Sequence, residues 1–226
     1  PRSKIDRSRG PLRQVLDGMA YVWSNKLVLG AITLDLFVMF LAGATAMIPV
    51  FARDILGAGE IGLSLLAASP AVGAMIVATI FSFAPLSKNV GNLMLGAMVV
   101  FGLGTIGFGL SKVLWLSMLC LAICGAADMF GVYVRGSLIQ LHTPDDRRGR
   151  VSAVSQMTIS ASNELGDALT GGLAVLVGPV AAIVGGGVAA IAVTGLWSRI
   201  FPQLGAAKTF DPPAVDKSAD KSHGGV

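Results

Sequence analysis

Six long stretches of apolar residues, separated by short polar turns, dominate the pattern of the chain. Each is long enough to cross a hydrocarbon core of ~30 Å at a helical rise of ~1.5 Å per residue. The pattern therefore predicts six transmembrane helices, at about residues 27–50, 61–84, 92–110, 113–140, 149–177 and 179–201. We expect residues 27–201 to form one transmembrane domain.

Both ends of the chain have a different pattern. In residues 1–26, a basic arm, apolar side chains recur at helical spacing, which predicts a cytoplasmic linker with a short amphipathic helix on the membrane surface. Residues 202–226 alternate Asp, Lys and Ser after a Pro-Pro pair and have nothing to bury, so we expect a disordered cytoplasmic tail. The sequence starts with Pro1 rather than methionine, and we expect it to be part of a longer chain.

The composition supports membrane insertion. Hydrophobic residues make up 54% of the sequence and charged residues only 13%, whereas a soluble domain carries about 25% charged residues. Too little polar surface remains to cover a soluble fold, so an all-α polytopic membrane protein is predicted. The net charge of +4 lies mainly in the arm, the turns and the tail rather than on a folded face, so no nucleic-acid partner is expected.

The turn between the fourth and fifth stretches is the most charge-dense segment within the apolar body. Thr143 fits a helix N-cap, with Pro144 in the first helical position. The next helix opens with acidic and then basic side chains, which we interpret as a cytoplasmic gating turn: Asp145, Asp146, Arg147, Arg148 and Arg150. Six spans place 14 Lys and Arg on the side of the termini and two on the other, which predicts cytoplasmic termini in a bacterial inner membrane.

Polar and ionisable side chains also fall inside the predicted spans. A charge at the bilayer centre costs at least ~2.5 kcal/mol, so these residues should face a bundle interior or a wet cavity. Candidates for a proton or substrate pathway are Asp35, Asp128, Arg135, Asn163 and Glu164, with Asp167 nearer the outer end of its span. For each of them a structural polar contact is the alternative, and Arg135 could instead reach the lipid headgroups.

The spacing of Asp128 and Arg135 argues against a direct contact between them. They are seven residues apart on one helical face, or ~10 Å along the axis, so each needs a partner on another helix. Cys120 and Cys124 share a predicted helix, where buried inert thiols are a simpler interpretation than a metal pair or a disulfide. The sequence shows no Cys/His ligand spacing and no nucleophile motif, so we expect no catalytic residue, metal or cofactor, and no enzyme.

Three segments resemble one known family. They are IPVFARDILG at residues 48–57, LLAASPAVGA at residues 65–74 and TPDDRRGRV at residues 143–151. Together with the run from residue 12 into Asp35, they resemble the C-terminal half of a major facilitator superfamily transporter, in the bacterial multidrug and enterobactin exporter branch. The resemblance covers about residues 12–200 and implies two inverted three-helix repeats, which form half of a twelve-helix fold.

The resemblance also implies a function. The first and fourth spans would line a central cavity, the second and fifth would flank it, and the third and sixth would face lipid. We expect proton-coupled efflux of small amphipathic molecules such as drugs or siderophores, by alternating access, with three kinds of partner: the lipid bilayer, the N-terminal six-helix half and a small-molecule substrate. The alternative is a half-length membrane module that does not transport and packs with another protein as a scaffold or regulator.

Overall fold

The apolar stretches fold into six long α-helices in the computed structural model, which describes residues 19–84, 86, 89–143 and 145–206. The helices alternate in direction because short turns join them. Their bounds are α1 Lys26–Leu41, α2 Gly59–Phe83, α3 Val90–Leu110, α4 Leu114–His142, α5 Asp145–Val177 and α6 Pro179–Ile200, followed by a short α7, Pro202–Ala206. The all-α fold predicted from the sequence is confirmed.

Local signals set several helix ends. The Asn25 side chain accepts hydrogen bonds from the backbone N–H groups of Leu27 and Val28, at 3.2 and 3.3 Å, and so caps the start of α1. Before α6, Gly178 has a φ of 89°, a conformation that favours glycine, and Pro179 takes the first helical position. A tight turn therefore joins α5 to α6.

Five helical segments of the described chain are long and apolar enough to cross a membrane: Lys26–Ile55, Gly59–Phe83, Val90–Leu110, Leu114–Leu141 and Pro179–Ile200. The predicted fifth span forms a helix of 33 residues, α5, which has ample length but does not meet the same standard of apolarity. Its polar and ionisable side chains are the reason. This helix therefore needs more protein or water around it than its neighbours do.

The packing of the helices has an internal two-fold pattern. The most extensive contacts join α2 to α4, α3 to α6, α3 to α4, α1 to α5 and α1 to α6. In an inverted repeat, α1, α2 and α3 would match α4, α5 and α6 in that order. The contact of α2 with α4 then corresponds to that of α5 with α1, and the contact of α3 with α4 corresponds to that of α6 with α1. The contact of α3 with α6 corresponds to itself. Because helices alternate in direction, matched helices run oppositely. These contacts agree with the predicted inverted three-helix repeats, apart from the contact of α5 with α6, which has no counterpart of similar extent between α2 and α3 among the described residues.

Small residues allow the backbones to approach where helices cross. On α4, a Cβ atom added to Gly125 would lie 2.6 Å from Cα of Pro70 on α2, and a Cβ on Gly73 of α2 would meet the backbone of Ala122. Neither backbone could move aside without separating the helices. Glycine at these positions is thus required by close packing, as is common between helices in lipid.

Two larger clusters of buried apolar side chains form most of the interior, and a smaller one lies around Val28 and Ile139. One joins α1, α3 and α4 around Leu34, Met98 and Leu138. The other lies at the opposite end of the bundle, around Phe51 and Phe108, whose ring centroids are 4.5 Å apart. The break in the first span, described next, lies where the two clusters meet.

The first span departs from prediction because it is not one regular helix. After α1 ends at Leu41, residues 42–44 leave the helix, and the chain continues as a 3₁₀ turn (Thr45–Met47), a short α-helical turn (Ile48–Val50) and a π-helical turn (Phe51–Ile55). The predicted end at residue 50 is therefore short by one turn. The sequence Ala-Gly-Ala at residues 42–44 contains no strong helix-capping or helix-breaking residue such as proline, so the apolar pattern of the sequence does not reveal the break.

Other differences concern the termini and the charged turn. Thr143 follows α4 in extended conformation, as an N-cap residue would, but its buried hydroxyl has no hydrogen-bond partner in the described part of the chain, so the predicted side-chain cap is not seen there. Residues 202–206, assigned to the tail, form α7 instead, because Leu204 is buried against the start of α3. Residues 19–24 of the arm are helical; residues 1–18 and 207–226 lie outside the described residues.

Candidate functional site

An ion pair between α1 and α4 lies in the interior of the bundle. The Arg135 guanidinium donates from Nη1 to the Asp35 carboxylate at Oδ2. Asp35 is 1% exposed and Arg135 is 5% exposed, so both charges are almost fully removed from solvent. The Coulombic attraction between them offsets part of the desolvation that burial imposes on each group. The sequence predicted a partner on another helix for Arg135, and Asp35 is that partner.

The second oxygen of Asp35 has a different environment. Oδ1 is buried and has no hydrogen-bond partner among the described residues. A Cβ atom on Gly131 would lie 3.4 Å from this oxygen, so the absence of a side chain there lets the carboxylate lie close to α4. Gly131 is one turn from Asp128 on the same helix. Asp35, Asp128 and Arg135 are the three ionisable side chains in this part of α1 and α4, and we call them the electrostatic group.

A cavity of about 260 Å³ lies next to this group, between α1, α2, α3, α4 and α5. Its polar and ionisable lining includes Thr45, Thr105, Asp128, Asn163 and Asp167. The apolar part of the wall comes from Met39, Ile48, Pro70, Phe101 and Leu121. The third helix therefore contributes to the wall of the cavity, in addition to the helices that the resemblance places around it.

The break in the first span forms part of the cavity wall. Ala42, Gly43, Ala44 and Thr45 line it, and the Ala46 N–H donates to Oδ1 of Asp167 at 3.3 Å. Asp167 therefore satisfies a donor that the broken helix exposes.

Close packing of α1 and α5 holds Asp167 beside the break. A Cβ atom on Gly43 would lie 2.8 Å from the Gly166 carbonyl carbon, and one on Gly166 would lie 2.7 Å from the Met39 carbonyl oxygen. The two backbones are therefore in direct contact at this level. This pair of glycines places the carboxylate of the next residue, Asp167, within reach of the exposed N–H groups.

The ionisable side chains that line the cavity are all acidic. Asp128 and Asp167 are its ionisable carboxylates, and its lining contains no Lys, Arg or His. Within the described part of the chain, Asp128 accepts no hydrogen bond and forms no direct ion pair, while Asp167 is engaged by Ala46. Arg135 is committed to Asp35. The cavity therefore presents one carboxylate that is available to a ligand and one that also stabilises the wall.

The structure brings most of the predicted residues together. Asp35 pairs with Arg135, and Asp128 lines the cavity with Asn163. Glu164 is exposed and lies outside the cavity lining, next to Asn163 in the chain. Asp167, which the sequence places nearer the outer end of its span, lines the cavity because the broken first span reaches it at this level.

The alternative interpretation of Arg135, in which it reaches the lipid headgroups, is wrong. The side chain is buried and turned towards α1, where Asp35 provides a counter-charge within the bundle. In the predicted gating turn, α5 begins at Asp145, and Arg148 and Arg150 lie in its first turns with partial exposure. The side chains of Asp145, Asp146 and Arg147 lie outside the described part of the chain.

Comparison with known proteins identifies the fold family. The family model described as Major Facilitator Superfamily matches residues 1–166. The enterobactin exporter EntS of Citrobacter koseri is 30% identical over 172 residues, covering 76% of this chain and 41% of the relative. Proteins of the same name from Shigella boydii serotype 18 and Escherichia coli O127:H6 are each 30% identical over 176 residues, with the same coverage.

The chain spans about two fifths of the length of the curated relatives it matches. The family match covers most of the chain, and the two-fold packing of six helices around a cavity agrees with it. The predicted resemblance is confirmed, and it indicates a multi-pass membrane protein of a transporter family rather than an enzyme. The chain belongs to the major facilitator superfamily.

Proposed function

We propose that this chain is the C-terminal half of a proton-coupled exporter of small amphipathic molecules. The observation that carries the proposal is the cavity beside the buried Asp35–Arg135 pair, with the Asp128 carboxylate in its wall. A cavity with mostly apolar walls and a few polar groups is the usual form of a small-molecule site. Ionisable groups at membrane depth mark substrate and proton pathways in transporters.

The polar face of α5 supports a second half of the transporter as partner. Exposed polar side chains recur along one face of this helix at helical spacing: Ser152, Gln156, Ser160, Asn163 and Glu164. Lipid would leave these groups without hydrogen-bond partners, so protein or water has to cover them. An N-terminal six-helix half packed over this face would do so and would close the cavity between the two halves.

Proton coupling would use the electrostatic group formed by Asp35, Asp128 and Arg135. Protonation of Asp128 removes one negative charge from the cavity, and substrate binding competes with that proton for the same carboxylate. Asp35 connects the cavity to Arg135, because one of its oxygens holds the guanidinium and the other lies beside Gly131, one turn from Asp128. Rocking of the two halves would expose this group to each side of the membrane in turn.

Two further observations support a direction of transport and a location. The relatives are named as enterobactin exporters, which supports export for this chain as well. The excess of Lys and Arg on the side of the termini supports cytoplasmic termini in a bacterial inner membrane. Outward movement of substrate would then be coupled to inward movement of protons.

The test uses the complete transporter polypeptide in everted membrane vesicles with an acidic interior. Addition of a transported amphipathic dye or of enterobactin should partly dissipate the proton gradient, because export is coupled to proton movement. The loss of the gradient is measured with a pH-sensitive fluorophore. The Asp128→Asn variant should insert into the membrane in normal amounts but should not dissipate the proton gradient. Asp54→Asn, a matched change at an exposed site, should behave as the unchanged protein. Undiminished proton-linked transport by Asp128→Asn would contradict the role of Asp128, and no transport of any compound would contradict the proposed function.

A further inference from the structure

We propose that the inner end of the cavity, where it meets α3, binds an uncharged, phenyl-sized ring of a ligand. This inference deepens the proposed function and rests on it for the role of the ligand as an exported molecule. Four side chains define the inner end: Phe101 and Thr105 of α3, and Leu121 and Cys124 of α4. The family resemblance alone places α3 against lipid rather than against a ligand.

The first reason is the shape of the cavity, which has an open side and a closed side. At the open side, Asn163 of α5 and Thr45 at the break in the first span are exposed. At the inner end, Phe101 is 9% exposed, Cys124 is 6% exposed and Thr105 is 0% exposed. Within the described chain, α3 and α5 have no extensive contact with each other, so they form separate walls of one cavity. A ligand that enters beside α5 therefore reaches α3 last.

The second reason is that the polar groups of the inner end are already hydrogen-bonded. The Thr105 hydroxyl donates to the Phe101 carbonyl oxygen at 3.0 Å, and the Cys124 thiol donates to the same oxygen at 3.5 Å. Each of these side chains has a single donor hydrogen, so neither retains one for a ligand. A buried water needs about 2–4 polar partners. The inner end therefore favours an apolar, uncharged group over water or a charged group.

The third reason is the size of the cavity and the firmness of its closed side. The whole cavity measures about 260 Å³, and an apolar cavity of ~150 Å³ holds one benzene molecule. The remaining volume accommodates a short polar substituent near Asn163. On the closed side, α3 lies close against α4, since a Cβ atom on Gly104 would lie 2.7 Å from Sγ of Cys124. Phe101 supplies an aromatic side chain against which a single ring can pack.

The experiment uses phenyl(trifluoromethyl)diazirine, an uncharged photolabel that contains one phenyl ring, with the complete transporter polypeptide in nanodiscs. After irradiation, mass spectrometry locates the labelled residues. We expect label on the inner-end residues, which are almost fully buried, as well as on lipid-exposed residues such as Leu103 of α3. Benzyl alcohol at saturating concentration should reduce the inner-end label by about tenfold or more, because it competes for the same space. Ethanol, which has the hydroxyl but no ring, should not reduce it at the same free concentration.

Substitutions at the inner end provide a second measurement. Thr105→Phe, on α3, and Leu121→Trp, on α4, each fill the inner end and should reduce its label by about tenfold or more. The matched control Thr105→Val keeps the shape of the side chain and should retain the label. Label on Leu103 should stay unchanged in all three variants, and each is first checked for a normal peak in size-exclusion chromatography. If neither larger side chain permits folding, the labelling of the unchanged protein decides alone.

Three results would overturn the inference. They are label on lipid-exposed residues alone in the unchanged protein, equal competition by ethanol, and full inner-end label in a folded Thr105→Phe or Leu121→Trp variant. The same preparations are assayed for proton-linked export in vesicles, which separates this failure from failure of the proposed function. Export without inner-end label would remove the ring site and leave the exporter in place. Inner-end label without export of any compound would leave the ring site and refute the exporter.

Discussion

The buried pair of Asp35 and Arg135 makes a quantitative prediction about stability. Asp35→Asn keeps the shape of the side chain but leaves the Arg135 guanidinium buried without its counter-charge, at 5% exposure. Arginine does not lose its proton in proteins, so it cannot escape the penalty. Removal of one partner of a buried pair costs about 3–5 kcal/mol. A loss of this size lowers Tm by roughly 6–20 °C in a chain of 150–250 residues and by less in the longer complete polypeptide.

The reverse substitution should be milder. Arg135→Gln leaves the Asp35 carboxylate buried, but a proton can neutralise it, so the loss of stability should be smaller and should decrease at acidic pH. The double variant Asp35→Asn with Arg135→Gln leaves no buried charge from the pair and should be more stable than Asp35→Asn alone. The expected coupling between the two positions is about 1–3 kcal/mol.

The assay is thermal unfolding of the complete polypeptide in detergent, followed with a thiol-reactive fluorophore. Cys124 is 6% exposed and would react as the bundle opens. The control is Asp54→Asn, an exposed site, which should change stability by less than about 0.5 kcal/mol. If the double variant were destabilised by the sum of the two single losses, Asp35 and Arg135 would not interact and the reasoning would be refuted.

Two further predictions concern the backbone contacts around the cavity. Gly125→Val should reduce the yield of folded protein and lower stability by at least about 1–3 kcal/mol, because the added carbons meet the Pro70 backbone. Gly136→Val, at an open position on the same helix, should give a normal peak in size-exclusion chromatography. Equal behaviour of the two variants would contradict the close crossing of α2 and α4. Asp167→Ala should speed hydrogen exchange around Ala46, by up to about 1–3 kcal/mol of lost protection, whereas Asp167→Asn should retain most of it. Unchanged exchange in Asp167→Ala would show that the carboxylate does not cap the break.

Much of the fold could be predicted from the sequence because lipid imposes a simple rule. Apolar runs of sufficient length have to be helices, and the six predicted runs agree with α1 to α6 apart from their ends. The cost of burying charge also identified Asp35, Asp128 and Arg135 as interior residues before any contact was known. The polarity of α5 shows where that rule weakens, since its length predicts a span but its composition requires a polar neighbour.

The contacts within the site could not be predicted in the same way. Helical spacing excluded a direct Asp128–Arg135 pair. It carries no information about which residue of another helix lies opposite Arg135. Asp35 could be identified as the partner of Arg135 only from the packing of α1 against α4. The contact of Asp167 could not be predicted for a related reason. Its partner is a backbone N–H exposed by a helix break, and the residues at 42–44 are as compatible with helix as with a break.

The most direct test of the account asks whether the cavity contacts water within the membrane. Asn163→Cys, in the cavity wall, and Val188→Cys, at an exposed position in the middle of α6, are placed in the complete polypeptide after replacement of Cys120 and Cys124. Right-side-out and everted membrane vesicles are each treated with a membrane-impermeant thiol reagent, with and without a proton gradient. We expect Asn163→Cys to react, the gradient to change the side of the membrane from which it reacts, and Val188→Cys to stay unlabelled. Equal and slow labelling of both positions would contradict a cavity that contacts water within the membrane.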